Sequence, residues 1–139
     1  MNAIDTNVPV YAVDFNEPAK QANALILLKR LSQPPAQTVL LWQVVGEYMS
    51  CLRRWQSAGR ITDTLVEQYV NRARAMFSLA LPTENVITLS LELTNRYKVS
   101  HWDSMLLAAC IEAGVDTLYS EDLDTGMTYD SVTVVNPFV

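Results

Sequence analysis

The run Ser100-His101-Trp102-Asp103-Ser104-Met105-Leu106-Leu107-Ala108-Ala109-Cys110 limits the fold more than any other stretch. It reads as the opening turns of a buried helix. Ser100 is a good N-cap, and apolar residues come after it almost without a break. A helix with so little polar surface belongs inside the protein. Asp103, in its first turn, has two readings. It sits three positions after a Ser cap, as the acid of a capping box does. It is equally a carboxylate aimed at something positive outside the helix.

Short apolar runs alternate with helical patterns along the rest of the chain. Asn2 to Asp5 reads as a brief strand ending in an acid, with Thr6 and Asn7 at the turn. Pro9 sits near the start of a short helical or irregular piece. Pro18 suits the first position of a helix that runs to about Leu31, where Ser32-Gln33-Pro34-Pro35 stops it. Thr38-Val39-Leu40-Leu41 reads as a strand buried on both faces. The next helix runs from Gln43 to about Ser57. Leu41, Val44, Val45, Tyr48, Met49, Leu52 and Trp55 share its apolar face. Glu47 lies off that face, among Gln43, Ser50 and Arg54. Gly59 ends the helix, and Thr62 caps another that runs through Phe77. Val86-Ile87 reads as a minimal third strand and Leu89 to about Tyr97 as a short helix. The Ser100 helix closes at Gly114. Asp116 to Ser120 reads as a fourth strand, ending in Glu121-Asp122-Leu123-Asp124, and Val132 to Val135 as a fifth.

This alternation implies a parallel sheet with helices on both faces. Ligands in such folds bind outside the carboxyl ends of the strands. Asp5 and Asp122 sit just past the first and fourth strands, and Asp103 begins the helix feeding the fourth. Topology thus gives three acids reason to share one sheet edge.

The 139 residues suit one domain, able to bury roughly two-thirds of its unfolded surface. Cys51 and Cys110 lie in apolar helical patterns with no metal-ligand spacing, as small buried residues of a reducing compartment do. The N-terminus has no basic, apolar leader pattern, and no stretch is long and apolar enough to span a membrane. A cytoplasmic location is expected. The net charge of −5 opposes simple nucleic-acid binding. Its distribution softens the objection. Residues 51–80 carry five arginines against two acids, so the acidity lies elsewhere. A nuclease whose carboxylates serve metal ions can be acidic overall.

Ile4-Asp5-Thr6-Asn7, Val44-Val45-Gly46-Glu47-Tyr48, Trp102-Asp103-Ser104, Leu118-Tyr119-Ser120-Glu121-Asp122-Leu123 and Val134-Val135-Asn136-Pro137-Phe138 occur in that order. Together they resemble the PIN domain, and within it the VapC-type toxins of bacterial toxin–antitoxin pairs. The resemblance implies one domain over residues 1–139. Its fold would be a three-layer α/β/α arrangement around a central, mainly parallel, five-stranded sheet. It implies RNA hydrolysis, a cognate antitoxin and a homodimer. Asp5, Glu47, Asp103 and Asp122 match the family's acidic quartet, which binds Mg²⁺ or Mn²⁺. The pattern alone makes Glu47 a solvent-facing glutamate; the resemblance makes it a site residue. Asp124, rather than Glu121, is the expected auxiliary to Asp122. Thr6 and Asn7 match positions that orient the first aspartate or its water.

Four carboxylates suit one or two hard divalent ions, which lower the pKa of bound water and require no separate strong base. The single histidine, His101, limits the alternatives. A serine hydrolase would have to use it and lacks a Gly-x-Ser-x-Gly turn. His101 reads as a first-turn helix residue. Trp42, Trp55 and Trp102 read as packing or interface residues rather than base platforms. Arg53, Arg54 and Arg60 are candidates for phosphate contact. The rivals are a non-catalytic RNA- or protein-binding module and a phosphotransferase using Asp5. The latter lacks the Asp-x-Asp pair and a late lysine.

Overall fold

The computed structural model describes all residues from Met1 to Val139. Its elements are β1 (Asn2–Ile4), α1 (Asn7–Ala12), α2 (Pro18–Leu31), β2 (Thr38–Leu41), α3 (Trp42–Ser57) and α4 (Asp63–Met76). They continue with β3 (Ser78–Ala80), α5 (Asn85–Tyr97), α6 (His101–Glu112), β4 (Thr117–Tyr119), β5 (Thr128–Tyr129) and β6 (Val132–Val135). The strands form one six-stranded sheet in the order β3-β2-β1-β4-β6-β5. Every pairing is parallel except the β5–β6 hairpin.

The chain builds outward from β1 through β2 to β3, then crosses back to place β4 on the other side of β1. Right-handed crossovers in opposite directions put their helices on opposite faces. Accordingly α1 packs on α2 and α3, α3 on α4, and α5 on α6. Ala3, Ile4, Leu40, Leu41 and Leu118 are almost fully buried between these layers. Adjacent residues of the inner strands are both covered, so the strands read as unbroken apolar runs. In α6, Leu106, Leu107, Ala108 and Cys110 are buried, as its near-continuous apolar sequence requires. No helix is long and apolar enough to cross a membrane.

The expected caps form. Thr62 Oγ1 accepts from Leu65 N at 3.2 Å, and Ser100 Oγ accepts from Asp103 N at 3.3 Å. Gly59 and Gly114 take positive φ values of 78° and 75° past the ends of α3 and α6.

Two expectations fail. Val86-Ile87 is not a strand but the start of α5. Val86, Ser90 and Leu93 are buried at helical spacing, while Ile87 is 60% exposed, so three-to-four-residue periodicity outweighs β-branching. The third strand is instead Ser78–Ala80, because α4 stops at Met76 and Phe77 is already extended (φ −134°, ψ 145°). The sixth strand, β5, leaves no signal in the sequence because it has only two residues. Asp130 takes a positive φ of 52° in the tight turn after it. Arg96 and Tyr97 bond the Asp130 carboxylate, and Tyr97 Oη also accepts from Asp130 N at 2.8 Å.

Candidate active site

Strand order reverses between β1 and β4, the switch point at which folds of this kind bind ligands beyond the carboxyl ends of their strands. Asp5 leaves β1 here and is only 5% exposed. Its Oδ1 accepts from Thr6 N at 2.7 Å and its Oδ2 from Ser120 Oγ at 2.7 Å. Ser120, the residue after β4, is fully buried; its Oγ also accepts from Asp122 N at 3.1 Å. One hydroxyl therefore ties Asp5 to the loop that carries Asp122. Asn7 Nδ2 donates to Asp122 Oδ2 at 3.2 Å, closing the link from the other side.

Glu47 arrives from the second turn of α3. The polar face of α3 is not all solvent, and Glu47 is half-buried. Thr6 Oγ1 donates to its Oε2 at 2.7 Å and Gln43 Nε2 to its Oε1 at 2.9 Å. Gln43 Nε2 also reaches the Trp102 carbonyl at 3.2 Å, joining the start of α3 to the start of α6. Asp103 is the next residue on α6. Its carboxylate makes no bond back to the Ser100 amide, so only half of the expected capping box forms. That leaves the carboxylate free at a helix N-terminus, where the dipole favours negative charge. It stands near Tyr129, whose pKa is raised by desolvation and then by the charges of Asp124 and Asp103.

Burial raises the Asp5 pKa from 3.8 to about 6. The Ser120 and Thr6 hydrogen bonds hold it down, and the charges of Asp122 and Glu47 add to the rise. Asp5 thus senses two other members of the expected quartet. Asp103 joins them only through the Gln43 bridge.

Glu121 is engaged elsewhere. Tyr11 Oη donates to it at 2.6 Å and Lys20 Nζ at 3.1 Å, so it anchors the loop to α1 and α2. The Asp124 carboxylate has no such partner. Thr6 and Asn7 hold Glu47 and Asp122 respectively, a wider role than orienting the first aspartate. Sequence reasoning misses Ser120 and Gln43. A serine after a strand reads as turn chemistry, and a glutamine four residues before a glutamate reads as an exposed helical pair.

The donor set suits a hard divalent cation, since it is all oxygen. The Asn7 Oδ1 atom adds a buried acceptor without a partner. No three His, Cys, Asp or Glu side chains converge closely enough to hold an ion as they stand. Asp5, Glu47 and Asp122 are all bonded to protein donors. Gathering three carboxylates around one ion therefore requires at least one to turn.

No sequence-family model matches the chain, and no curated protein matches it. Solved structures do. A toxin–antitoxin complex from Klebsiella pneumoniae superposes with a TM-score of 0.67 at 18% identity, covering 99% of this chain and 98% of that one. VapBC2 from Rickettsia felis, bound to a promoter DNA fragment, gives 0.69 at 12% identity over 96% of each chain. The chain has the PIN fold of VapC toxins. A sarcin–ricin loop cleaving VapC toxin of Mycobacterium tuberculosis gives 0.59 at 18% identity, covering 88% of this chain and 90% of that one. The VapC-like sheet here carries six strands rather than the expected five, the extra one being the short β5.

Proposed function

We propose that this protein is a metal-dependent ribonuclease, the toxin of a cytoplasmic toxin–antitoxin pair. The observation that carries the reading is the bonded cluster of Asp5, Glu47 and Asp122 at the switch point, with Asp103 at the adjoining helix start. The solved toxins of this fold, one named for cleaving the sarcin–ricin loop, support phosphodiester hydrolysis of RNA as the reaction class.

Asp5, Glu47, Asp103 and Asp122 would hold Mg²⁺ or Mn²⁺, directly or through water. The ion would supply charge neutralisation at the phosphate and an acidified water. The chain does the rest. Thr6 and Gln43 orient Glu47, Ser120 fixes Asp5 relative to Asp122, and Asn7 steadies Asp122. Like charges held this close favour a cation over continued repulsion.

Purified protein is expected to cleave cellular RNA with Mg²⁺ or Mn²⁺ and to stop on addition of EDTA. Expression should arrest growth, and Asp103→Asn should relieve the arrest, as should co-expression of a small neighbouring gene encoding the antitoxin. Cleavage that survives both EDTA and Asp5→Asn would sink the proposal. Growth arrest by Asp103→Asn as severe as by wild type would favour a binding module instead.

The same reading includes a homodimer. Trp42, Leu81, Ile87, Leu91 and Trp102 are each more than half exposed. Trp42, Leu81 and Trp102 line an apolar groove of about 430 Å³ beside edge strand β3. Exposed apolar surface of this kind marks an interaction face. Light scattering should give twice the chain mass, and Leu81→Glu should give one. A wild-type monomer at micromolar concentration would remove the dimer from the proposal.

A further inference from the structure

Two surface depressions meet on α3. One, of about 400 Å³, is lined by Gln43, Gly46, Glu47 and Trp102. The other, of about 790 Å³, runs on from Gly46 past Ser50 to Arg53 and Arg54. They share Gly46, so a single exposed stripe leads from a candidate catalytic carboxylate to two arginines. Glu47 and Arg54 are seven positions apart, a rise of about 10 Å along the helix, comparable to one or two nucleotides of extended RNA.

Three features set the stripe apart. Arg53 has no hydrogen-bond or ion-pair partner within the chain, and Arg54 meets only neutral groups, the Ser50 Oγ at 3.2 Å and the Cys51 thiol. Arg60, grouped with them in the sequence, is removed from the set: it pairs with Asp14 at 3.1 Å and lies over the Trp55 ring at 4.1 Å. Two adjacent guanidinium charges are thus uncompensated in a chain of net charge −5. The third feature is Gly46. Glycine inside a helix is destabilising relative to alanine. Nothing in the fold requires it, because a Cβ there would meet no atom within 4 Å and the backbone needs no positive φ. What glycine provides at this junction is bare helix backbone, open to close approach from outside.

We propose that the stripe Gly46–Ser50–Arg53–Arg54 is an RNA-backbone track, holding by its phosphates the strand that leaves the carboxylate cluster. This rests on the ribonuclease reading and adds where the RNA runs. Guanidinium groups suit phosphate oxygens through paired N–H donors, and charge pairing of this kind is salt-dependent.

The test uses the full chain carrying Asp5→Asn, which prevents cleavage, and a short fluorescein-labelled single-stranded RNA of mixed sequence. Binding is monitored by anisotropy across a salt series with Mg²⁺ present. Adding Arg53→Gln and Arg54→Gln should weaken binding roughly tenfold at low salt and flatten the log Kd against log[salt] slope by about 1.4. Gly46→Gln keeps every charge. It should weaken binding several-fold with the slope unchanged, while raising the melting temperature through better helix propensity. Affinity and slope unaltered by the double arginine change would overturn the track, as would a parent that binds no RNA. Wild-type cleavage separates the levels. No cleavage removes the ribonuclease reading itself; cleavage equal in wild type and the double variant removes only the track.

Discussion

Asp5→Asn is expected to abolish RNA cleavage while making the metal-free protein more stable at neutral pH. The two effects share a cause. Asp5 is buried beside Asp122 and Glu47, and its pKa is raised from 3.8 to about 6. A raised pKa means that the folded state holds this proton more tightly than the unfolded state. The resulting stability is fully present below about pH 4 and is lost as pH rises through about 6. A shift of this size corresponds to about 3 kcal/mol between the two protonation states. Asparagine carries no charge and keeps an acceptor for Thr6 N or Ser120 Oγ, so it avoids most of that cost. Urea unfolding in EDTA should therefore show Asp5→Asn more stable than wild type by on the order of 2 kcal/mol near pH 7.5, with a smaller or no gain near pH 4. Glu112, Asp116 and Asp130 have lowered pKa values, so the stability they contribute falls as pH drops. They do so equally in both proteins, and the difference isolates Asp5. A variant less stable than wild type at pH 7.5 would mean that the Asp5 carboxylate is well compensated without a cation.

The sequence carried the geometry of the candidate site only partly, and the divide is physical. Asp5 and Asp122 were legible because a parallel sheet places the residues just past its strands on one edge. Asp103 was legible as a first-turn acid, though its unbonded carboxylate was not. Glu47 was invisible to periodicity, which registers apolar faces. Its partial burial comes from Thr6, forty-one positions away in the chain. The same limit explains the third strand. Ser78-Leu79-Ala80 has no β-branched residue, and its place is set by pairing with Val39 to Leu41 on an already formed β2. Val86 and Ile87 have the local preference of a strand but take helical positions in the packing of α5 against α6. Long-range contacts thus decided the short strand β3 and the first turn of α5 against local preference.

Ser120→Ala should show how far the candidate chemistry depends on a residue that never meets the substrate. The hydroxyl is fully buried and has two partners, Asp5 Oδ2 at 2.7 Å and Asp122 N at 3.1 Å. Alanine removes both links and leaves a buried carboxylate short of a donor, which costs about 2 kcal/mol of stability. The Ser120 bond is also the largest influence holding the Asp5 pKa down, so its loss drives that pKa further up. The acid limb of the cleavage profile, which reports ionisation of Asp5, should move to higher pH. Activity should consequently fall much more near pH 6 than near pH 8, where the variant recovers part of the wild-type rate. A variant that is merely unstable would lose activity by the same factor at both pH values once the folded fraction is allowed for. An unmoved acid limb would therefore assign Ser120 to folding alone. A shifted one would make this hydroxyl the setting by which the fold keeps its buried aspartate ionised at neutral pH.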